Sequence, residues 1–154
     1  AGTAVGLAGC GFKLRQAPEF AFSSIAMPTS SAYLAQLKRA IDVTGKLTVF
    51  PMLEWERAET VFDVLGESRD QLVLSTNSAG QVRELQLFLR VRFKLRTPAG
   101  KELIPPSEMT QSRDITYNET AALAKESETQ LLYRDMTNDI VQQTLRRLGA
   151  VKSL

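Results

Sequence analysis

Histidine is absent from this chain of 154 residues. Histidine is the side chain that most often acts as a general base near neutral pH, and it is a frequent metal ligand. Its absence excludes a Ser-His-Asp or Cys-His arrangement within the sequence. We therefore predict no catalytic residue, no metal site and no cofactor apart from a covalent lipid, which is considered below.

Cysteine is almost absent, because Cys10 is the only one. A single cysteine cannot form a disulfide within the chain. If its thiol is modified, no free thiol remains, which suits an oxidising compartment.

Long apolar runs and a strong charge imbalance are also missing. Hydrophobic residues make up 44% of the chain and charged residues 23%, as in ordinary globular domains. The apolar stretches are short and broken by charges, well below the roughly 20 residues of a membrane-spanning helix. The net charge is +2 and the pI about 8.8. A balance this mild excludes the basic stripe of a nucleic-acid-binding protein, so we predict no nucleic acid partner.

The surroundings of Cys10 indicate its use. Residues 1–9 carry no charge, and the small residues Ala8 and Gly9 come directly before the cysteine. The stretch Leu7-Ala8-Gly9-Cys10 resembles a lipobox, in which the thiol receives diacylglycerol and the amine freed by cleavage is acylated. We predict that residues 1–9 are the remnant of a signal peptide and that lipid on Cys10 anchors the protein to a membrane. The alternative is that Cys10 is an unmodified, small apolar residue in an N-terminal strand.

The first third of the chain has a weak strand signal and a clear helical one. Residues 19–27 read as a short strand that ends at Pro28. In residues 31–44 apolar side chains recur every three or four positions, which predicts an amphipathic helix closed by Gly45. These positions are Tyr33, Leu34, Leu37 and Ile41. Residues 46–57 are ambiguous, since Leu47 and Val49 suggest only a short extended piece.

Three longer strands follow, over residues 60–76, 81–96 and 101–118. The middle one alternates most regularly, with one apolar face and one largely basic face. Its apolar face comprises Leu85, Leu87, Leu89, Val91, Phe93 and Leu95, and its basic row comprises Arg90, Arg92, Lys94 and Arg96. Gly66 predicts a bulge or a bend in the first strand, and Pro105 with Pro106 predicts an edge position or a bulge for the last.

The chain closes with a long helix over residues 118–148, with Asn118 as its N-cap. The order is therefore β-α-β-β-β-α. We predict a single α+β domain over residues 10–154, a two-layer sandwich with two helices packed on one face of a four-stranded, antiparallel-rich mixed sheet.

Several separated segments together resemble the LPS-assembly lipoprotein family (LptE) of Gram-negative outer membranes. The opening Cys10-Gly11-Phe12-Lys13-Leu14-Arg15 is similar to the family's start. The other similar pieces are Val73-Leu74-Ser75, Arg83-Glu84-Leu85-Gln86-Leu87, Phe93, Arg113, Asn118, Ala122-Leu123-Ala124-Lys125, Glu128, Met136, Asp139 and Arg146-Arg147-Leu148.

The resemblance implies a place and a role. It implies a lipoprotein anchored at the periplasmic face of the outer membrane, with two helices on a four-stranded sheet. It also implies that the protein plugs a large β-barrel translocon (LptD), supports the assembly of that barrel and binds lipopolysaccharide in transit.

Lipopolysaccharide presents phosphates beside acyl chains, so a binding site needs cations next to apolar surface. The candidates are Lys125 near the start of the last helix, Arg83 after a turn at one end of the sheet, and the basic row, above all Arg90 and Arg92. The row can equally be a solvated face, or can meet the polar lumen of a barrel. We expect Lys125 to be exposed, with Glu128 as its alternative partner.

Two other functions compete with this one. A generic envelope lipoprotein would share the lipid and the α+β body as a binding or scaffold module without a barrel partner. An enzyme would need paired carboxylates, for which Glu54 with Glu56 and Asp63 with Glu67 are the candidates. The chain has no Gly-rich phosphate loop or nucleophile elbow, so we predict that it is not an enzyme.

Overall fold

The computed structural model describes residues 17–154. The predicted signal-peptide remnant and the lipidation of Cys10 lie outside the described residues. Within them, no helix is both long enough and apolar enough to span a membrane.

The described residues form five strands and two α-helices. In chain order they are β1 (Ser24–Met27), α1 (Ala32–Thr44), β2 (Thr48–Pro51), β3 (Thr60–Thr76), β4 (Val82–Arg96), β5 (Glu102–Thr116) and α2 (Ala122–Gly149). Two 3₁₀ segments, Met52–Arg57 and Glu119–Ala121, precede β3 and α2. The predicted N-cap Asn118 caps the second of these segments, by accepting a hydrogen bond from the Thr120 N–H, and α2 begins later.

One mixed sheet holds all five strands in the order β2-β1-β3-β4-β5. β1 is parallel to β2 and β3, whereas β3, β4 and β5 are antiparallel neighbours. The α+β class is confirmed, but the prediction of four strands is wrong. The additional strand is β2, whose four residues pair with all of β1. A four-residue strand has too little alternation to show in the sequence, and only its distant partner establishes it.

Two details of the sheet follow the sequence, whereas the helical layer does not. The register of β3 against β4 shifts between Val64 and Gly66, so the predicted bulge is confirmed. β5, with its two prolines, is an edge strand as predicted. The helical layer differs in detail from the prediction, because the 3₁₀ segment Met52–Arg57 also packs on β1 and β2.

α1 forms for the reasons that its sequence suggests. The Ser31 hydroxyl accepts a hydrogen bond from the Leu34 N–H at 3.2 Å, and Gly45 ends the helix with φ of 65°. The left-handed conformation at that position strains any residue with a Cβ, so glycine suits it. The four predicted apolar positions of α1 are all buried.

The core lies between the helices and one face of the sheet. The predicted apolar face of β4 is confirmed from Leu87 to Leu95, and these side chains join buried residues of α1 and α2. Phe62 of β3 and Phe93 of β4 stack with ring centroids 4.9 Å apart. The Tyr33 hydroxyl of α1 lies 2.8 Å from Thr144 Oγ1 of α2, and burial raises the pKa of this phenol.

The helices cover the sheet unevenly. α1, with 13 residues, is about 20 Å long, whereas β3, with 17 residues, is about 57 Å long. Ser31 at the start of α1 donates a hydrogen bond to Glu67, near the middle of β3. Beyond that point α1 no longer covers the sheet. We call residues 65–92 and 108–131 the distal arm and the rest of the described chain the body.

Candidate functional site

The distal arm holds most of the large hydrophobic residues that are exposed in the described part of the chain. Six large hydrophobic residues of the arm are 40–87% exposed. They are Leu65, Leu72, Val73, Leu74, Leu123 and Leu131. Exposed apolar surface concentrated in one region is typical of a site that contacts a partner or a lipid.

Two predicted cations lie on neighbouring segments at the end of this arm. Lys125 Nζ lies 3.3 Å from Thr116 Oγ1 at the end of β5, and the Tyr117 N–H donates to the Arg83 carbonyl at 2.7 Å. The end of β5 therefore places Lys125 near the start of β4, although 42 positions separate it from Arg83 in the chain. Arg83 is exposed and has no hydrogen bond or ion pair from its side chain to another described residue.

Lys125 is less accessible than its sequence suggests. Only 19% of its side chain is exposed, and Nζ pairs with Glu128 at 2.7 Å. The expectation of an exposed lysine is therefore wrong, and the alternative pairing with Glu128 is confirmed. Thr116 and Glu128 occupy positions where a ligand phosphate would otherwise contact the ammonium group.

The basic row of β4 is largely neutralised by β3. Arg90 pairs with Asp70 at 2.9 Å, and Arg96 pairs with Asp63 at 2.7 Å. Lys94 lies 4.0 Å from the same Asp63. Arg92 is the exception, since it is exposed and pairs with no carboxylate of residues 17–154. Three of the four cations thus belong to a solvated, internally paired face.

The candidate carboxylate pairs do not form. Asp63 lies opposite Lys94 and Glu67 opposite Val91, so the two acids project from different faces of the sheet. Glu54 pairs with Arg57 in the 3₁₀ segment. Among the side chains of residues 17–118 and 120–154, no cluster of three or more metal-ligating groups is present.

A groove runs beside the arm between the start of α1, the middle of β3 and the first half of α2. Its volume is about 620 Å³. It is lined by Ala32, Gln36, Arg69, Glu126, Ser127, Gln130, Leu131, Tyr133, Arg134 and Thr137. A smaller cleft of about 290 Å³ shares Ala32, Arg69 and Thr137 with it.

The groove combines apolar walls with two arginines. Arg69 lies over the Tyr133 ring, 4.8 Å from its centroid, and Arg134 pairs with no carboxylate of the described residues. Burial raises the pKa of the Tyr133 phenol, whose hydroxyl donates to the Asp70 carbonyl at 3.2 Å. Glu126, a further lining residue, accepts a hydrogen bond from Gln130.

Sequence reasoning missed Arg69 and Arg134. Arg69 pairs with Leu89 in the sheet register, so it is a polar residue on the apolar, helix-facing side. The available signal was a charged residue at a position where the alternation of β3 calls for an apolar one. What that signal meant depended on α1 not extending over Arg69.

Known proteins resemble this chain over most of its length. The sequence model of the family described as "LptE: Lipopolysaccharide-assembly" matches residues 20–148. An "LPS-assembly lipoprotein LptE" from Yersinia enterocolitica is 28% identical over 148 residues, which cover 94% of this chain and 70% of the relative. The same figures hold for its namesake in Yersinia pestis.

Solved structures share the fold. A lipoprotein B from Nitrosomonas europaea superposes with a TM-score of 0.76 at 31% identity, covering 91% of each chain. The rare lipoprotein B from Shewanella oneidensis gives 0.66 at 20% identity, over 83% of this chain and 92% of the other. At that lower identity the likeness concerns the fold alone.

Proposed function

This chain belongs to the lipopolysaccharide-assembly family LptE, and we propose that it binds lipopolysaccharide through its distal arm while it plugs the LptD barrel. Membership gives the coarser role, that of a non-enzymatic envelope lipoprotein in lipopolysaccharide assembly. The proposal adds the ligand, the barrel partner and the location in the outer membrane. It also adds lipidation of Cys10 as the attachment to the periplasmic face.

The observation that supports lipid binding is the meeting of cations and apolar surface at one end of the molecule. Arg83 and Lys125 lie at the end of the arm that also exposes Leu72, Val73 and Leu74. Phosphates of lipopolysaccharide fit the cations, and its acyl chains fit the leucines. The groove beside the arm offers a continuation, since Leu131 and Tyr133 give apolar walls near Arg134.

The cations do not contribute equally to this proposal. Arg83 is the leading phosphate ligand because it is exposed and unpaired. Lys125 must release Glu128 or bind the ligand together with it. In the basic row, Arg92 is available whereas Arg90 is bound to Asp70.

Charge-removing variants test this assignment. We expect Arg83→Gln and Lys125→Asp each to weaken binding of purified lipopolysaccharide, by about tenfold or more for a charge-assisted contact. The melting temperature should change little for Arg83→Gln. The matched control is Arg39→Gln, an exposed arginine on α1 in the body. Unchanged binding by both folded arm variants would refute the assignment.

A pull-down tests the barrel partner. The full-length lipidated protein is isolated from outer membranes in mild detergent, and its partners are identified by mass. We expect a stoichiometric large β-barrel. Recovery of the folded, lipidated protein alone would favour a generic envelope binding module over the plug. Mass spectrometry of the N-terminal peptide in the same sample tests acylation of Cys10, which Cys10→Ser abolishes.

A further inference from the structure

The end of the body opposite the arm holds the first described residues against the end of α2. A Cβ at Gly149 would lie 2.8 Å from Pro18 Cβ and 3.2 Å from the Glu19 carbonyl, so the two segments are in close contact. Lys46 Nζ also lies 3.3 Å from the Ala17 carbonyl and pairs with Glu19. Residues 17–19 are therefore fixed beside the last turn of α2.

This end carries cations that have no acidic partner. Arg146 and Arg147 lie in the last turn of α2 and Lys152 follows it; we call these three residues the basic end. None of them pairs with a carboxylate of residues 17–154. Lys46, which also contacts residues 17–19, differs because it pairs with Glu19. Three unpaired positive charges therefore lie close to where residues 17–19 are held.

An apolar cleft adjoins these cations. It has a volume of about 280 Å³, and Arg147 lies at its border. The other lining residues are Leu103, Ile104, Pro105, Ala150 and Val151. A cation beside apolar walls suits an amphiphile whose phosphate meets the arginine while its glycerol and upper acyl carbons enter the cleft.

We propose that the basic end is a docking surface for anionic phospholipid headgroups of the membrane that holds the N-terminal lipid. The proposal rests on the lipid anchor at Cys10 proposed above. Ala17 follows Cys10 by seven positions, so the Cα atoms of the two residues lie at most about 25 Å apart. Screening limits attraction to within about 8 Å at physiological ionic strength, so the cations act only close to the membrane, and the tether raises the effective concentration of the basic end there.

The basic end and the arm are far apart in the molecule. β5 begins beside the cleft residue Leu103 and finishes at Thr116 next to Lys125. The 13 positions from Leu103 to Thr116 span about 45 Å, so a membrane contact at the basic end leaves the lipopolysaccharide-binding cations of the arm unobstructed. Acyl chains together with basic residues are the combination that gives stable attachment.

A vesicle-binding experiment tests the surface without the covalent lipid. The 154-residue chain carrying Cys10→Ser is sedimented with vesicles of phosphatidylcholine alone or with about one third phosphatidylglycerol. We expect preference for the anionic vesicles that falls as salt is raised. Arg146→Gln with Arg147→Gln should lower the partition coefficient by about fivefold per charge removed.

The controls separate this surface from a structural role and from the arm. Both arginines also complement the negative end of the α2 dipole. If that were their only role, the double variant would change in melting temperature while its vesicle binding stayed the same. Lys152→Gln, outside the helix, gives a second variant if the double variant fails to fold. Arg83→Gln with Arg92→Gln removes the same number of charges from the arm.

Three results would overturn the proposal. They are equal binding to both vesicle types, undiminished binding by the folded basic-end variants, and an equal loss in the arm variant. Lipopolysaccharide binding should survive in the basic-end variants, so failure of the lipopolysaccharide site and failure of this surface are distinguishable. Absence of acylation at Cys10 would remove the tether but leave the vesicle result readable.

Discussion

The body and the distal arm are made from the same three long strands, yet they differ in what covers them. In the body both α1 and α2 pack on the sheet, and residues such as Ile25, Phe62 and Leu148 are fully buried. In the arm β3 is exposed at most positions from Glu67 to Val73, on both faces of the sheet. The fold therefore concentrates its stabilising contacts at one end and leaves the other end available for partners.

Ion pairs add little to this difference. Among residues 17–118 and 120–154, no buried side-chain nitrogen or oxygen lacks a hydrogen-bond partner. Both regions carry solvent-exposed pairs, such as Arg90 with Asp70 in the arm and Lys38 with Asp42 in the body, and pairs of this kind contribute about 1 kcal/mol or less. The comparison predicts large losses of stability from substitutions of buried residues in the body and small ones from substitutions at the exposed positions of the arm.

The strongest test removes a core ring. Phe62→Ala should lower the free energy of unfolding by about 3–5 kcal/mol, because the ring is fully buried and stacks on Phe93. Urea denaturation followed by circular dichroism measures the change. Leu72→Ala, a comparable truncation in the arm, should lose less than about 1 kcal/mol. Equal losses at the two positions would remove the distinction between body and arm.

A pair of glycines gives the next largest effect. Gly149→Ala should destabilise by about 1–3 kcal/mol, because a proline ring and a backbone carbonyl stand where the new methyl group must fit. This loss exceeds the gain of roughly 1 kcal/mol that alanine brings to a helix. Gly66→Ala in the arm meets nothing within 4 Å and should be neutral or slightly stabilising. Thermal unfolding of both variants measures the two effects. A Gly149→Ala protein as stable as the unsubstituted chain would contradict the close contact with Pro18.

The dependence of stability on pH separates the regions at a smaller scale. Burial raises the pKa of Tyr33 above its ordinary value near 10, so the folded state keeps the proton while the unfolded state loses it. Stability from this group is complete below pH 10 and falls above it, by about 1.4 kcal/mol per pH unit at most. Tyr33→Phe should remove that slope and cost about 1 kcal/mol at neutral pH, through loss of the bond to Thr144. Denaturation between pH 8 and 11 tests this, and an unchanged slope in the variant would show that other groups cause it.

The smallest stability effect is expected where function should change most. Leu131→Ser alters an exposed residue of the groove and should change the free energy of unfolding by no more than about 0.5 kcal/mol. It should nevertheless weaken lipopolysaccharide binding, because acyl chains lose an apolar wall. Leu53→Ser, almost fully exposed on the 3₁₀ segment of the body, is the matched control. Equal binding by the two variants would separate the groove from the lipid site.

Much of the fold was predictable because its signals are local. The helical spacing of Tyr33, Leu34 and Leu37 and the alternation from Leu85 to Leu95 depend only on backbone periodicity. Ser31 and Gly45 mark helix ends through their own chemistry. Strand β2 was not predictable, because four residues with a terminal proline become a strand only beside β1.

The candidate site, like the fold, was only partly predictable from the sequence. The sequence supplied the cationic residue types and the family resemblance that linked Arg83 and Lys125 to a lipid. The tertiary structure decided which cations are available. Asp63 and Asp70 neutralise most of the basic row through the register of β3, and Glu128 and Thr116 partly enclose Lys125.

The sequence by itself determined the strand and helix periods and the main turns. It also determined that one face of β4 is apolar and the other largely basic. The tertiary structure alone decided that α1 covers β3 only as far as its middle, where the helix begins, and this creates the arm and its groove. The physical reason is that periodicity and capping act within a few residues. Coverage, ion pairing and exposure arise instead from contacts between residues far apart in the chain.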